Sequence, residues 1–157
     1  MNEVHDLDGN LVSPEYGGGV SWLPQGDRLL RRGSHGMDII TIAGEVVTHI
    51  DDTYGNEWAF SHDGRRLAYA RGQLPEGPFA VSVIDLESGQ SWDVRAASAA
   101  PIRWSADDSR LILGVYELQN GERPQIITVS AEPGGAGEQL LLDYAQLIEV
   151  VDYPPRQ

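Results

Sequence analysis

Trp58-Ala59-Phe60-Ser61-His62-Asp63-Gly64-Arg65-Arg66-Leu67-Ala68-Tyr69 is the stretch that decides how this chain folds. Its core, Phe60 to Leu67, lies without a gap over Trp22-Leu23-Pro24-Gln25-Gly26-Asp27-Arg28-Leu29 and over Trp104-Ser105-Ala106-Asp107-Asp108-Ser109-Arg110-Leu111. The three aromatic anchors are 38 and 44 residues apart. Self-similarity at such a spacing marks an architecture of repeated units, each needing neighbours to bury its apolar faces.

Working outward from each anchor, the same order recurs. A β-rich run ends in a turn at Met37 to Ala43 before Gly44, at Phe79 to Leu86 before Glu87-Ser88-Gly89, and at Gln125 to Ala131 before Pro133-Gly134-Gly135. A fourth short run closes each unit, at Glu45 to Ile50, Gln90 to Arg95 and Glu138 to Tyr144. The last of these lies in Gly137 to Val151, the one segment with helical character; its phase with the other repeats decides for strands. Gly and Pro, 18 and 9 in number, cut the apolar runs too short for ordinary helices. The expectation is an all-β chain of four-stranded antiparallel units of about 40 residues, the size of a β-propeller blade. The anchor aromatic at the end of each first strand is expected to wedge between neighbouring units, burying on the order of 150–250 Å². The following Asp-Gly or Asp-Asp supplies the backbone of a tight hairpin.

The pattern aromatic-Ser-x-Asp-Gly-basic-x-Leu-Ala-aromatic at Phe60 to Tyr69, followed by Val83-Ile84-Asp85-Leu86-Glu87-Ser88-Gly89, resembles the TolB-like (WD-like) β-propeller repeat. His62 and Ala106 stand where that repeat has Pro, Leu23 where it has Ser, Gln25 where it has Asp, and Asp108 where it has Gly. The resemblance implies a bacterial propeller, most often a protein-interaction platform, in an extracytoplasmic setting. It also admits a propeller domain of a serine peptidase of the prolyl-oligopeptidase kind, with the catalytic domain outside these residues. Fold alone does not choose between them.

One domain is expected, with repeats over about 18–50, 55–95 and 100–144. Val4-His5-Asp6-Leu7-Asp8 aligns with Val83-Ile84-Asp85-Leu86-Glu87, so residues 3–16 read as the third and fourth strands of a partial blade, and Leu147 to Val151 as the first strand of another. Open strand edges of this kind invite pairing. Three closures are open to such a chain: a homodimer closing an eight-bladed ring through two composite blades, which would make it a self-assembling unit, a four-bladed ring within one chain, or a place within a longer propeller.

Charge and motifs narrow the chemistry. Eleven basic residues, all Arg, stand against 24 acidic ones, for a net charge of −13 at pH 7. That surplus repels phosphate backbones, so nucleic acid is not an expected partner. No apolar run reaches the length of a membrane span, and the first residues show no signal peptide. The sequence has no cysteine, so disulfides and thiolate metal sites are excluded. No Gly-x-Ser-x-Gly elbow is present, Gly33-Ser34-His35-Gly36 having the wrong spacing. His5, His35, His49 and His62 share no ligand spacing and read as solvated, as do the acidic pairs Asp51-Asp52 and Asp107-Asp108. Asp6-Leu7-Asp8-Gly9-Asn10 lacks the Gly and Glu positions of a calcium loop, and Gly17-Gly18-Gly19 precedes a strand where a phosphate loop needs a helix. The expectation is no catalytic, cofactor-binding or metal-binding residue.

In a blade of consecutive antiparallel strands, the turns joining strands one to two and three to four share one face, and the remaining connections share the other. The longer connections, Arg71 to Pro78 and Glu117 to Pro124, belong to the second set. Binding functions concentrate on variable loops held by a rigid scaffold. Arg71, Glu76, Tyr116, Glu117 and Arg123 are therefore the candidate partner-binding residues, for a protein partner or a second copy of the chain.

Overall fold

The computed structural model describes residues 2–5, 11–16, 20–33, 36–51, 53–72, 80–95, 99–115, 125–135 and 137–142. Every element among them is a strand: β1 (Asn2–His5), β2 (Leu11–Tyr16), β3 (Val20–Trp22), β4 (Arg28–Arg32), β5 (Gly36–Thr41), β6 (Val46–Asp51), β7 (Thr53–Phe60), β8 (Arg66–Arg71), β9 (Ala80–Asp85), β10 (Ser91–Arg95), β11 (Ala99–Trp104), β12 (Arg110–Val115), β13 (Gln125–Ser130) and β14 (Gln139–Leu142). They pair only with sequence neighbours, giving a β1–β2 pair and three four-stranded antiparallel sheets. These are sheet I (β3–β6), sheet II (β7–β10) and sheet III (β11–β14). The all-β expectation and the four-stranded unit both hold. No helix among the described residues is long and apolar enough to cross a membrane.

The repeat is visible down to single hydrogen bonds. The amide of Leu23, Ser61 or Ser105 donates to the carbonyl of Arg28, Arg66 or Arg110, at 3.0, 2.9 and 2.9 Å. The amide of Gly26, Gly64 or Asp108 donates back to the carbonyl of Leu23, Ser61 or Ser105. That third turn position has φ of 73°, 65° and 55°. Glycine adopts this left-handed backbone freely, whereas Asp108 must be held there. In the last two turns a serine hydroxyl donates to the aspartate two residues on, Ser61 to Asp63 at 2.7 Å and Ser105 to Asp107 at 2.6 Å. Leu23 and Gln25 cannot make that bond, and Leu23 is buried instead.

Period-two alternation places each sheet's apolar residues on both faces. Leu67, Tyr69, Ile84 and Leu86 of sheet II pack with Leu23, Leu30, Met37, Ile39 and Ile50 of sheet I. Ala68, Val81 and Val83, on the opposite face of sheet II, pack with Trp104, Leu111, Leu113, Ile127 and Val129 of sheet III. Each large aliphatic side chain so enclosed contributes roughly 1.5–3 kcal/mol. Sheet II is thus buried on both faces, and the sheets stack in chain order.

The three anchors are not enclosed alike. Trp104 is 2% exposed, and its indole N–H donates to the Ala59 carbonyl of sheet II at 2.8 Å. Phe60 is half-buried against the cluster shared with sheet I. Trp22 is 43% exposed, which corrects the expectation of three equivalent wedges. In chain order sheet I follows the two-stranded β1–β2 pair, whereas sheets II and III each follow a four-stranded sheet.

Candidate functional site

The hairpins β3–β4, β5–β6, β7–β8, β9–β10, β11–β12 and β13–β14 turn on one face of the stack. Strands β8 and β12 end, and β9 and β13 begin, on the other.

The short-turn face is a set of latches between neighbouring sheets. Asp108, buried at the tip of the β11–β12 turn, accepts hydrogen bonds from the His62 amide at 2.9 Å, His62 Nδ1 at 2.7 Å and the Asp63 amide at 3.1 Å. Burial pushes the Asp108 carboxyl upward, but these donors outweigh it, and the net shift is downward. Arg66 donates to the Asp108 carbonyl at 2.7 Å, pairs with Glu132 at 3.0 Å, and lies 4.9 Å from the centre of the Trp104 ring. Gln25 Nε2 donates to the Asp63 carbonyl, tying sheet I to the same turn. Farther out, Trp92 Nε1 donates to the Ala131 carbonyl at 3.0 Å and Arg95 pairs with Glu138. The expected solvation of Asp107-Asp108 therefore holds only in part: Asp107 is exposed, with the Ser105 and Ser109 hydroxyls holding its carboxyl down at about 2, whereas Asp108 is an inter-sheet clasp.

A shallow recess over sheets II and III is lined by Arg65, Arg66, Asp85, Trp92 and Glu132. Its cations are already paired, Arg65 with Glu87 at 2.9 Å and Arg66 with Glu132, so it offers no ready anion site.

Only one of the candidate partner-binding residues can be placed. Arg71, at the end of β8 where the longer connection begins, is exposed and pairs with Asp93 at 3.0 Å; Asp93 also accepts from Ser82 Oγ at 2.6 Å. Glu76, Tyr116, Glu117 and Arg123 lie outside the described residues, as do His35 and the strand expected at Leu147 to Val151.

A polar ladder that sequence reasoning missed runs across sheet I. Arg31, Asp38 and His49 are direct cross-strand partners on β4, β5 and β6. Arg31 Nη2 lies 2.6 Å from Asp38 Oδ2, His49 Nδ1 lies 2.6 Å from Asp38 Oδ1, and His49 Nε2 lies 3.0 Å from Asp51 Oδ1. His49 sits exposed in β6, held between two carboxylates. With a carboxylate at each ring nitrogen, the arrangement favours the imidazolium, which is not a base. Among the described residues no group of three or more acidic or histidine side chains is arranged to hold a metal ion.

The ladder fixes a pH prediction. The hydrogen bond to Asp38 raises His49 above the ordinary 6.5, against desolvation and with help from Asp51. Stability from a raised imidazole is fully present below the unfolded-state value and lost as pH rises through the folded-state one. The Ser61 hydroxyl lowers Asp63, and the Ser88 amide and hydroxyl lower Asp85, both from 3.8. Their contributions are present above that value and lost as pH falls through the folded-state ones. Thermal melts should therefore peak between the ordinary values, 3.8 and 6.5. His49→Gln should flatten the alkaline limb while leaving the acid limb; an unchanged alkaline decline would remove His49 from the account.

Comparison with solved structures bears on the architecture. TolB from Acinetobacter baumannii superposes with a TM-score of 0.61 at 17% identity, over 88% of this chain and 36% of that one. The β-propeller domain of the Trilobed protease from Pyrococcus furiosus gives 0.53 at 15% identity, over 73% and 38%. The fold is that of a β-propeller. Its sheets I to III are propeller blades resembling those of TolB, and the chain spans somewhat over a third of the length of these two matches. A prolyl endopeptidase gives a TM-score of 0.54 at 17% identity, over 82% of this chain and 23% of that one. No protein-family model and no curated protein matches the sequence.

Proposed function

We propose that this propeller segment is a non-enzymatic protein-interaction and assembly module that binds through the face carrying its longer connections. The observation that supports the reading is the division of the two faces. The short turns latch blade to blade, while β8 and β12 end on the opposite face, β8 with the exposed Arg71. Arg71, exposed at the end of β8, is the candidate contact that the structure places on that face.

Capture of a partner from a native lysate tests the choice of face. Charge reversal at Arg71 and Arg123 should weaken capture more than reversal at Arg65 or Arg110, which flank the short turns. The opposite ranking would remove this face from consideration.

The match to a prolyl endopeptidase favours one second reading, a peptidase propeller whose hydrolase domain lies outside these 157 residues. Hydrolase sequence adjacent in the gene would support it over a free-standing module.

A further inference from the structure

Blades II and III form two concavities that differ in charge. The recess over their turns holds Asp63, Asp85 and Glu132 with Arg65 and Arg66, and each of these cations is already paired with a carboxylate. The second is an open cleft of about 700 Å³ along β7 and β11, the neighbouring edge strands of the two sheets. Trp58, Phe60 and Trp104 line it together with His62, Arg103 and Ile112. No carboxylate of the described residues does, although the chain carries 24 acidic side chains against 11 basic ones.

Arg103 is exposed, and among the described residues it is the arginine with no hydrogen bond and no ion pair. Arg31, Arg65, Arg66, Arg71 and Arg95 each face a carboxylate, and Arg110 is held by Thr128 and the Gly137 carbonyl. A solvated arginine is ordinary by itself; this one lies in a cleft walled by aromatic rings. It stands opposite Ile112 of β12, just past a register shift between Pro101 and Arg103, and β7 carries a like shift between Thr53 and Trp58. Such bulges bend an edge strand and re-aim its side chains, and they recur beside functional sites. His62, on the β7–β8 turn, is fixed through Nδ1 by Asp108 at 2.7 Å, and its Nε2 has no partner among the described residues.

We propose that this cleft binds a small aromatic carboxylate, with its flat apolar body against Trp58 and Phe60 and its carboxylate on the Arg103 guanidinium. Both rings are half-buried, packed on the cluster shared by blades I and II, so their positions are set before a ligand arrives. Trp104 supplies a wall but no donor, because its indole N–H is given to the Ala59 carbonyl at 2.8 Å. The planar fork of an arginine matches a carboxylate with two parallel hydrogen bonds. The net charge of −13 repels polyanions at long range, which favours a ligand carrying a single negative charge. The volume of the cleft is that of a small-molecule site, for which roughly 300–1,000 Å³ is usual. The cleft lies at the short-turn ends of β7 and β11, away from the ends of β8 and β12 assigned above to a protein partner, so binding in it is independent of that partner.

Titration calorimetry with 2-naphthoate, accompanied by the NMR signals of the Trp58 and Trp104 indoles, tests the site. One equivalent should bind and move both signals. Arg103→Gln, at an exposed position, should weaken binding about tenfold or more while leaving the urea midpoint unchanged. 2-Naphthamide, of the same shape without the charge, should bind the wild-type chain as weakly as the variant binds 2-naphthoate. Arg65→Gln, which removes an equal charge from an already paired site, should stay within about twofold of wild type. Equal binding of 2-naphthoate and 2-naphthamide, or an Arg65→Gln loss as large as that of Arg103→Gln, would overturn the carboxylate contact. Absence of 2-naphthoate binding would overturn the site. Tighter binding of a short peptide ending in phenylalanine, lost when its terminal carboxylate is amidated, would overturn the assignment to a small acid.

Discussion

Trp104→Ala should lower the free energy of unfolding by about 3–5 kcal/mol, the cost of a large cavity in a core that cannot fully collapse. The indole is 2% exposed and packed between blades II and III. Its loss also strips the Ala59 carbonyl of its donor and Arg66 of the ring it covers. His62→Ala, on the neighbouring turn, should cost well under about 1 kcal/mol, because its side chain is exposed and its amide still reaches Asp108. Urea melts of the two variants provide the comparison. Similar losses would show that the aromatic anchor is not an inter-blade wedge.

Asp108→Ala should be the next most damaging change, at about 2–3 kcal/mol. It removes the acceptor of two backbone amides, those of His62 and Asp63, at a part-buried junction of blades II and III. It also leaves an alanine at φ 55°, where the missing carboxylate no longer holds the backbone. Asp108→Gly relieves the backbone but not the lost clasp, so it should fall between wild type and alanine. A glycine variant as unstable as alanine would mean that the φ carries none of the cost. Equality of glycine with wild type would mean that the clasp carries none.

Much of the fold was legible because the repeat is written in local chemistry. The Ser-x-Asp pairs at Ser61 and Ser105, the positive-φ turn position and the alternation of Leu67, Ala68 and Tyr69 are all decided within a few residues of each other. Features that depend on the neighbouring blade were not legible. Trp22 and Trp104 sit at the same position of the repeat, yet one is exposed and the other enclosed, since enclosure is set by the unit in front. Asp108 reads as one of two turn carboxylates, and its partner His62 lies 46 residues away in sequence. His49 shows no ligand spacing because its partner Asp38 is its neighbour across β5 and β6 rather than along the chain. Arg71, read as the start of a connection, is the last residue of β8, and its ion pair with Asp93 depends on β8, β9 and β10 lying side by side.

The three repeats stack as blades, with the anchor Trp104 sealed against the blade before it and Trp22 left open. Hydrogen exchange of the tryptophan indole protons, read by NMR under conditions that keep the chain at single mass, tests it most directly. The Trp104 and Trp92 indole protons, bonded to the Ala59 and Ala131 carbonyls across the II–III interface, should exchange slowly and together, at rates near those of the central strand amides. The Trp22 proton should exchange quickly. Rapid exchange at Trp104, or protection at Trp22 equal to that at Trp104, would contradict the stacking.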